Sequence, residues 1–258
     1  MRIVLKYFFT LFLLCHSMLT AITAEYYMKA LGIKLAKISI RISENEPFIK
    51  IKANSLKESA LFLQINNSYF IKHNGSYQPL TYTRVIRQKN VNDEVTVNYN
   101  HNTAQATMFR LSDNSTIQYA IAKNSRDVYS LLAEVITGKV PAGIYPIDAN
   151  GINWQAKVVQ LASETVETPL GKYYAKHYEI TFRNLTEKKM PYIDMVTFNM
   201  LQENCKLNLW VYNNQYAVKA TFKKKGTSSS WELINLKNDI PGFKKDAYLQ
   251  RTPFTQLQ

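Results

Sequence analysis

Apolar and polar residues alternate with a period of two over most of the chain. Ile38, Ile40 and Ile42 fall on one side of their segment, with Lys37, Ser39 and Arg41 on the other. Beyond a Glu46-Pro47 turn, Ile49, Ile51 and Ala53 continue the same phase. The stretches EVTVNY (94–99), ATMFRL (106–111), NWQAKVV (153–159) and LNLWVY (207–212) repeat it. Strict alternation marks strands with one buried and one wet face. Turn-forming pairs punctuate them at Asn74-Gly75, Asn150-Gly151, Pro169-Leu170-Gly171 and Asn213-Asn214. Short strands joined by hairpins predict a mainly β chain, folded as an antiparallel β-barrel-like or strongly curved sheet.

One segment changes period. Between about 126 and 137, Val128, Leu131, Leu132, Val135 and Ile136 recur at helical spacing, giving an amphipathic helix with one apolar face. Asn124 or Ser125 is placed to cap its start, and Asp127 sits in its first turn. Gly138 supplies a stop, with Pro141 beyond it. The stripe is expected to plug one side or end of the sheet. Residues 184–206 read as an insertion holding a short strand or helix. Residues 240–258 carry Pro241, Gly242 and Pro253 without a sustained period, which predicts a flexible C-terminal tail.

The N-terminus sets the compartment. Arg2 and Lys6 precede an apolar run, and a small-residue stretch ends at Ala24. This is the layout of a secretory signal peptide, residues 1–24, cleaved after Ala24. An uncleaved anchor is the alternative, although the run from Tyr7 to Ile22 is broken by His16 and Ser17 and falls short of the roughly 20 residues a spanning helix needs. Cys15 follows Leu14, a side chain too large for lipoprotein processing. The expected mature domain, 25–239, therefore keeps Cys205 alone and has no internal disulfide to lean on. Cys205, between Asn204 and Lys206, reads as a solvated or half-buried thiol rather than a nucleophile.

Composition adds a strong positive charge. The formal net charge is +13, and loss of Arg2 and Lys6 lowers it by two. Such a field attracts anionic lipid, acidic polysaccharide and nucleic acid. An exported destination argues against nucleic acid. The basic residues are scattered apart from Lys188-Lys189 and Lys223-Lys224-Lys225, so no single groove is indicated, and a composition rich in Lys, Asn and Ile accounts for the charge without any binding role.

Candidate chemistry is sparse. His73, His101 and His177 lie far apart, no His-Glu-x-x-His or paired Cys-x-x-Cys occurs, and the eight glycines form no phosphate-cradling loop. No catalytic residue, metal ligand or cofactor is assigned, and the chain is not expected to be an enzyme. In ETVETPLGKYYAKHYEITF (164–182), Tyr174, Tyr178, Ile180 and Phe182 are expected on one apolar face, and His177 beside Glu179 on the polar one. Tyr69, Tyr77, Tyr82, Tyr99, Tyr119, Tyr145, Tyr173, Tyr174 and Tyr178 would either line a half-open barrel, holding an acyl chain or stacking on sugars, or serve as strand residues with wet tips. The Asn-x-Ser/Thr triplets at Asn66, Asn74, Asn114 and Asn184 read as chance in an Asn-rich chain.

The order of features between Gly138 and Lys237 resembles the DUF3108 family of exported bacterial proteins, whose function is uncharacterised. The resemblance rests on Thr168-Pro169-Leu170-Gly171, Trp210, the Asn213-Asn214 turn, the strand pair around Gly226 and an opening Gly32-Ile33. Leu35-Ala36 stands where that family usually has a glycine, and no proline follows the turn near Ala217. The resemblance implies a β-barrel-like domain exported to the bacterial periplasm or cell envelope, with no catalytic residues to transfer. The expected role is non-catalytic: binding a lipid, a glycan such as an anionic polysaccharide, or an envelope protein, with peripheral membrane contact. Two alternatives stand beside it, a structural subunit of an envelope assembly and a hydrolase whose residues converge only in the fold.

Overall fold

A computed structural model describes residues 21–43, 46–59, 64–89, 91–149, 151–188, 195–203, 205–224 and 227–238. The expected leader up to residue 20, Cys15, Lys189, Lys225 and the 240–258 tail lie outside these residues.

The first eight strands form a meander in chain order: β1 (Ile22–Ala30), β2 (Ile33–Ser43), β3 (Phe48–Ser55), β4 (Asn66–His73), β5 (Pro79–Gln88), β6 (Val91–Asn100), β7 (Gln105–Arg110) and β8 (Ser115–Ala120). Helix α1 (Val128–Ile136) follows, then β9 (Gly143–Asp148), β10 (Asn153–Gln160), β11 (Glu164–Thr168), β12 (Gly171–Asn184), the short helix α2 (Met195–Met200), β13 (Lys206–Tyr212), β14 (Tyr216–Lys224) and β15 (Thr227–Asn238). Pairing is antiparallel throughout the named strands. Around the sheet the order runs from β8 back to β1, across to β15, and down through β14, β13, β12 and β10 to β9, with β11 attached to β12. The fold is therefore two meanders joined where β1 pairs with β15, from Ile22↔Asn238 to Ala30↔Ser229. A cut after Ala24 would leave Glu25–Ala30 of β1, removing the pairs of Ile22, Thr23 and Ala24.

The alternation seen in sequence sets the core. Ile38, Ile49, Ile51, Ala53, Val95, Val97, Ala106, Trp154, Ala156, Val158, Leu207, Leu209 and Val211 are all buried, as their phase predicts. Strand β12 departs from its expected face. Tyr174 is 69% exposed, while Tyr173 packs against the rings of Tyr212 and Tyr216 at 5.3 and 6.5 Å. Buried positions fall at Ala175, then Tyr178, Ile180 and Phe182. The strand changes phase at Lys176-His177, where it exchanges β11 for β10 as its neighbour.

Helix α1 is real but more deeply set than an amphipathic reading allows. All nine of its residues are buried, including Ser130 and Glu134. Its N-cap is Asp127, not Asn124 or Ser125: the carboxylate accepts from the backbone N–H of Tyr129 and Ser130 at 2.9 and 3.1 Å. Thr137 closes the other end, and Gly138 follows with φ +69°, a conformation suited to glycine. The helix lies inside the curved sheet rather than against one edge of it. Helix α2, in the 184–206 insertion, covers α1: Thr197 Oγ1 and Tyr129 Oη lie 2.9 Å apart, and Val196 and Met200 are buried.

The sheet does not close on itself, since β8 and β9 are its two ends. Backbone and side chains bridge the gap. Arg126 donates its N–H to Pro146 O at 3.1 Å and accepts from Asp148 N at 2.8 Å, so the strand-to-helix linker adds one parallel bridge to β9.

Candidate functional site

Three places could carry a function: the interior, the seam between the sheet's ends, and the outer wall. The interior is filled. Between α1 and the sheet there remains an apolar void of about 20 Å³, bounded by residues including Tyr26, Ile40, Ile51, Leu132, Ile136 and Trp231. That is space for little more than a water-sized molecule, against the roughly 300 Å³ at which ligand pockets begin.

The tyrosines expected around a half-open barrel mostly serve this packing. Tyr69, Tyr77, Tyr82 and Tyr178 are buried, and Tyr69 packs on Tyr129 at 4.9 Å. Several hydroxyl tips donate to fixed acceptors, such as Tyr145 Oη to Pro141 O at 2.6 Å and Tyr26 Oη to Ala217 O at 3.0 Å.

At the seam, Asp148 of β9 gathers three donors. Tyr99 Oη of β6 and Tyr119 Oη of β8 each donate to Oδ2 at 3.0 Å, and Gly151 N donates to Oδ1 at 3.0 Å. The Tyr119 ring lies 3.5 Å from where a side chain on Gly151 would begin, and φ there is +82°, so the approach suits glycine. Burial pushes the Asp148 carboxyl up to about 6, against the stabilising bonds from Tyr119 and Tyr99. Asp127, which lines the same small pocket, is also held above its usual range by burial, with the Ser130 bonds opposing. The hydroxyls of Tyr99 and Tyr119 are in turn raised, by burial first and by the neighbouring carboxylate. This cluster ties β6, β8 and β9 together beside a pocket of about 10 Å³.

The histidines separate into unrelated surroundings. His73 is buried, stacks on Tyr77 at 4.4 Å and bonds the Asn74 carbonyl. His101 lies 2.7 Å from Pro79 O and stacks on Tyr99. His177 faces outward as expected, but its carboxylate is Glu164 of β11, at 3.1 Å, rather than Glu179, which pairs with Lys206. Glu164 Oε1 also accepts from Trp210 Nε1 at 2.7 Å, and the Trp210 ring is stacked on His177 at 4.4 Å with Lys219 on it at 5.9 Å. Both partners sit on the indole, so the cluster reads as a stitch holding β11 to β12 and β13. Cys205 is 2% exposed, not solvated, and burial pushes its thiol up to about 11, which disfavours the reactive thiolate at neutral pH. Among the described residues no group of His, Cys, Asp or Glu is arranged to hold a metal ion.

The outer wall is where charge accumulates. On β3 the outward residues include Phe48, Lys50 and Lys52, and on β4 they include Ser68, Phe70 and Lys72. Pairing sets Lys50 opposite Phe70 and Lys72 opposite Phe48. These lysines are distant in sequence and become neighbours only through the β3–β4 register, so a search for basic runs passes over them. The alternation itself carries the signal, since an outward face reading Phe-x-Lys-x-Lys is already written at 48–52. No helix among the described residues is long and apolar enough to cross a membrane. The outward lysines in mid-strand also do not match the apolar band of a lipid-embedded barrel wall.

Fold and site define a barrel-like antiparallel β protein built around a buried helix, with a void of about 20 Å³ beside that helix. The chain belongs to the DUF3108 family of proteins of unknown function, whose model matches residues 23–223. No curated protein matches the sequence. Among solved structures, a β-barrel-like DUF1849 protein from Brucella abortus aligns over 85% of this chain and 98% of its own, with a TM-score of 0.57 at 9% identity. That likeness establishes the barrel-like fold. An exported protein with a YmcC-like fold from Bacteroides fragilis covers 84% of this chain and 94% of its own at 13% identity, and a lipoprotein from Parabacteroides distasonis covers 84% and 95% at 10% identity. Both have TM-scores of 0.31, too low to extend the comparison.

Proposed function

We propose that the protein is a non-catalytic, exported component of the bacterial periplasm or envelope that meets its partner with its outer wall. The observation that carries this is the packed interior: α1 is buried inside the sheet, and the void between them is about 20 Å³. The basic-apolar-small pattern ahead of β1 supports export. The histidines and Cys205, each committed to packing or cross-strand bonds, give no support to a hydrolase. Native mass spectrometry of protein purified gently from its own envelope tests the reading. The bare mature chain is expected; one lipid or glycan retained per chain after detergent exchange would point back to an internal carrier.

A structural-subunit role is favoured by a separate feature. Strand β8 ends the sheet, and Ile117 on it and Leu111 before it are 49% and 52% exposed. An uncharged terminal strand of this kind is a template for edge-to-edge pairing. Sedimentation velocity of wild type and Ile117→Lys distinguishes this role, which requires concentration-dependent association that the variant loses.

A further inference from the structure

We propose that the outer face of β3 and β4 docks on anionic lipid bilayers. This deepens the outer-wall reading above and rests on it.

The face has the two ingredients that interfacial binding needs, apolar groups able to enter the headgroup region and cations to hold them there. Phe48 and Phe70 stack on each other with ring centroids 5.6 Å apart, and Phe70 remains 42% exposed. Lys50 and Lys72 flank this pair through the cross-strand register, and Lys52 extends the charge along β3. All three lysines are exposed. Arg41 of β2 stands directly opposite Lys50, with its guanidinium 5.4 Å from the Phe48 ring centroid.

Among the described residues, the carboxylates nearest the patch are engaged elsewhere or lie at its margin. Glu25 of β1 is committed to Lys37 and Lys237. Glu94 of β6 is paired with Arg87, and Glu46 lies beyond Phe48 in the β2–β3 turn. Between Phe70 and Phe109 of β7 the outward row is Thr83 and Thr96, which is uncharged. A polysaccharide would meet the same cations. The exposed phenyl ring, which offers no hydrogen bond and has one side occupied by its stacked neighbour, fits the acyl-headgroup boundary better.

The test is co-sedimentation of the full mature chain with phosphatidylcholine vesicles, with and without phosphatidylglycerol. Binding is expected only with phosphatidylglycerol and should weaken as salt is added. Replacing Lys50, Lys52 and Lys72 together by Gln should weaken it on the order of a hundredfold, from about fivefold for each lysine near an anionic surface. Phe70→Ser should weaken it further at unchanged charge. The matched triple K123Q/K157Q/K223Q removes equal charge elsewhere and should change binding little. Equal losses from both triples, equal binding to neutral vesicles, or binding only to immobilised anionic polysaccharide would each overturn the lipid proposal while leaving the outer-wall reading intact. A lipid retained in native mass spectrometry would instead overturn that reading. All substituted positions are exposed, and thermal melting of each variant confirms that it is folded before binding is scored.

Discussion

Asp148 is where one side chain matters most to the seam, because two strands from one meander donate to it across the gap in the sheet. Its folded-state pKa lies near 6, above the free value of 3.8, so the folded chain holds this proton more tightly than the unfolded one. The resulting stability is full below the free value and is lost as pH rises through about 6. Asp127 and Glu134, also raised by burial with their Ser130 and Arg126 partners opposing, act in the same direction. Glu25 behaves oppositely: burial pushes it up, but Lys237, Asn235 and Lys37 outweigh that and bring it to about 2, so its contribution is lost as pH falls from 4.5 through 2. Denaturant unfolding should therefore show wild type losing stability between about pH 4 and pH 6, and Asp148→Asn losing less across the same window. Identical slopes in the two proteins would count against the seam as described. Cys205 gives a second check at this scale. Its buried thiol should resist alkylation in the folded protein and label fully in denaturant; rapid labelling under native conditions would contradict its placement.

Among the elements, α1 bears most on function, because it occupies the interior. Leu131 is fully buried at its centre, and Leu131→Ala should destabilise the protein by about 2–5 kcal/mol, measured by chemical denaturation. A loss below about 1 kcal/mol would mean that the helix face is not in the core. Gly138→Ala should cost about 1–2 kcal/mol, since φ +69° is unfavourable for alanine and the new methyl would meet the Asn214 side chain, 2.7 Å away. The existence and span of this helix were legible from Val128, Leu131, Leu132, Val135 and Ile136. Its depth was not, because Ser130 and Glu134 look like a wet face. They are buried because Asp127 and Arg126, at the helix entrance, satisfy them. The strands show the same division. Period two identified which of Ile38, Ile49 and Ile51 point inward, but the phase change at Lys176-His177 depends on which neighbours β12 pairs with, and that is a tertiary fact. The choice of Glu164 over Glu179 for His177 follows from the same pairing. The lysine patch was hidden for a related reason: 50, 52 and 72 converge only once β3 and β4 are in register.

At the scale of the whole molecule, the two meanders meet along β1 and β15, and the remaining opening is bridged by Arg126 and Asp148. The arrangement encloses α1 on all sides, with α2 covering it through Thr197 and Tyr129. A molecule built this way presents distinct chemistry outward: stacked phenylalanines and lysines on β3 and β4, and the exposed Leu111 and Ile117 at and before β8. The membership in DUF3108 covers most of this frame, from Thr23 to Lys223. If the interior is permanently occupied, α1 cannot leave to admit a ligand without global unfolding. Hydrogen exchange of the mature protein, with and without anionic vesicles, measures this directly. The amides of Leu131–Thr137 should exchange in the slowest class, together with those of β1 and β15, and vesicles should not accelerate them. Exchange of α1 well ahead of those strands, or its release when lipid is added, would show that the interior opens and that the helix is a removable plug.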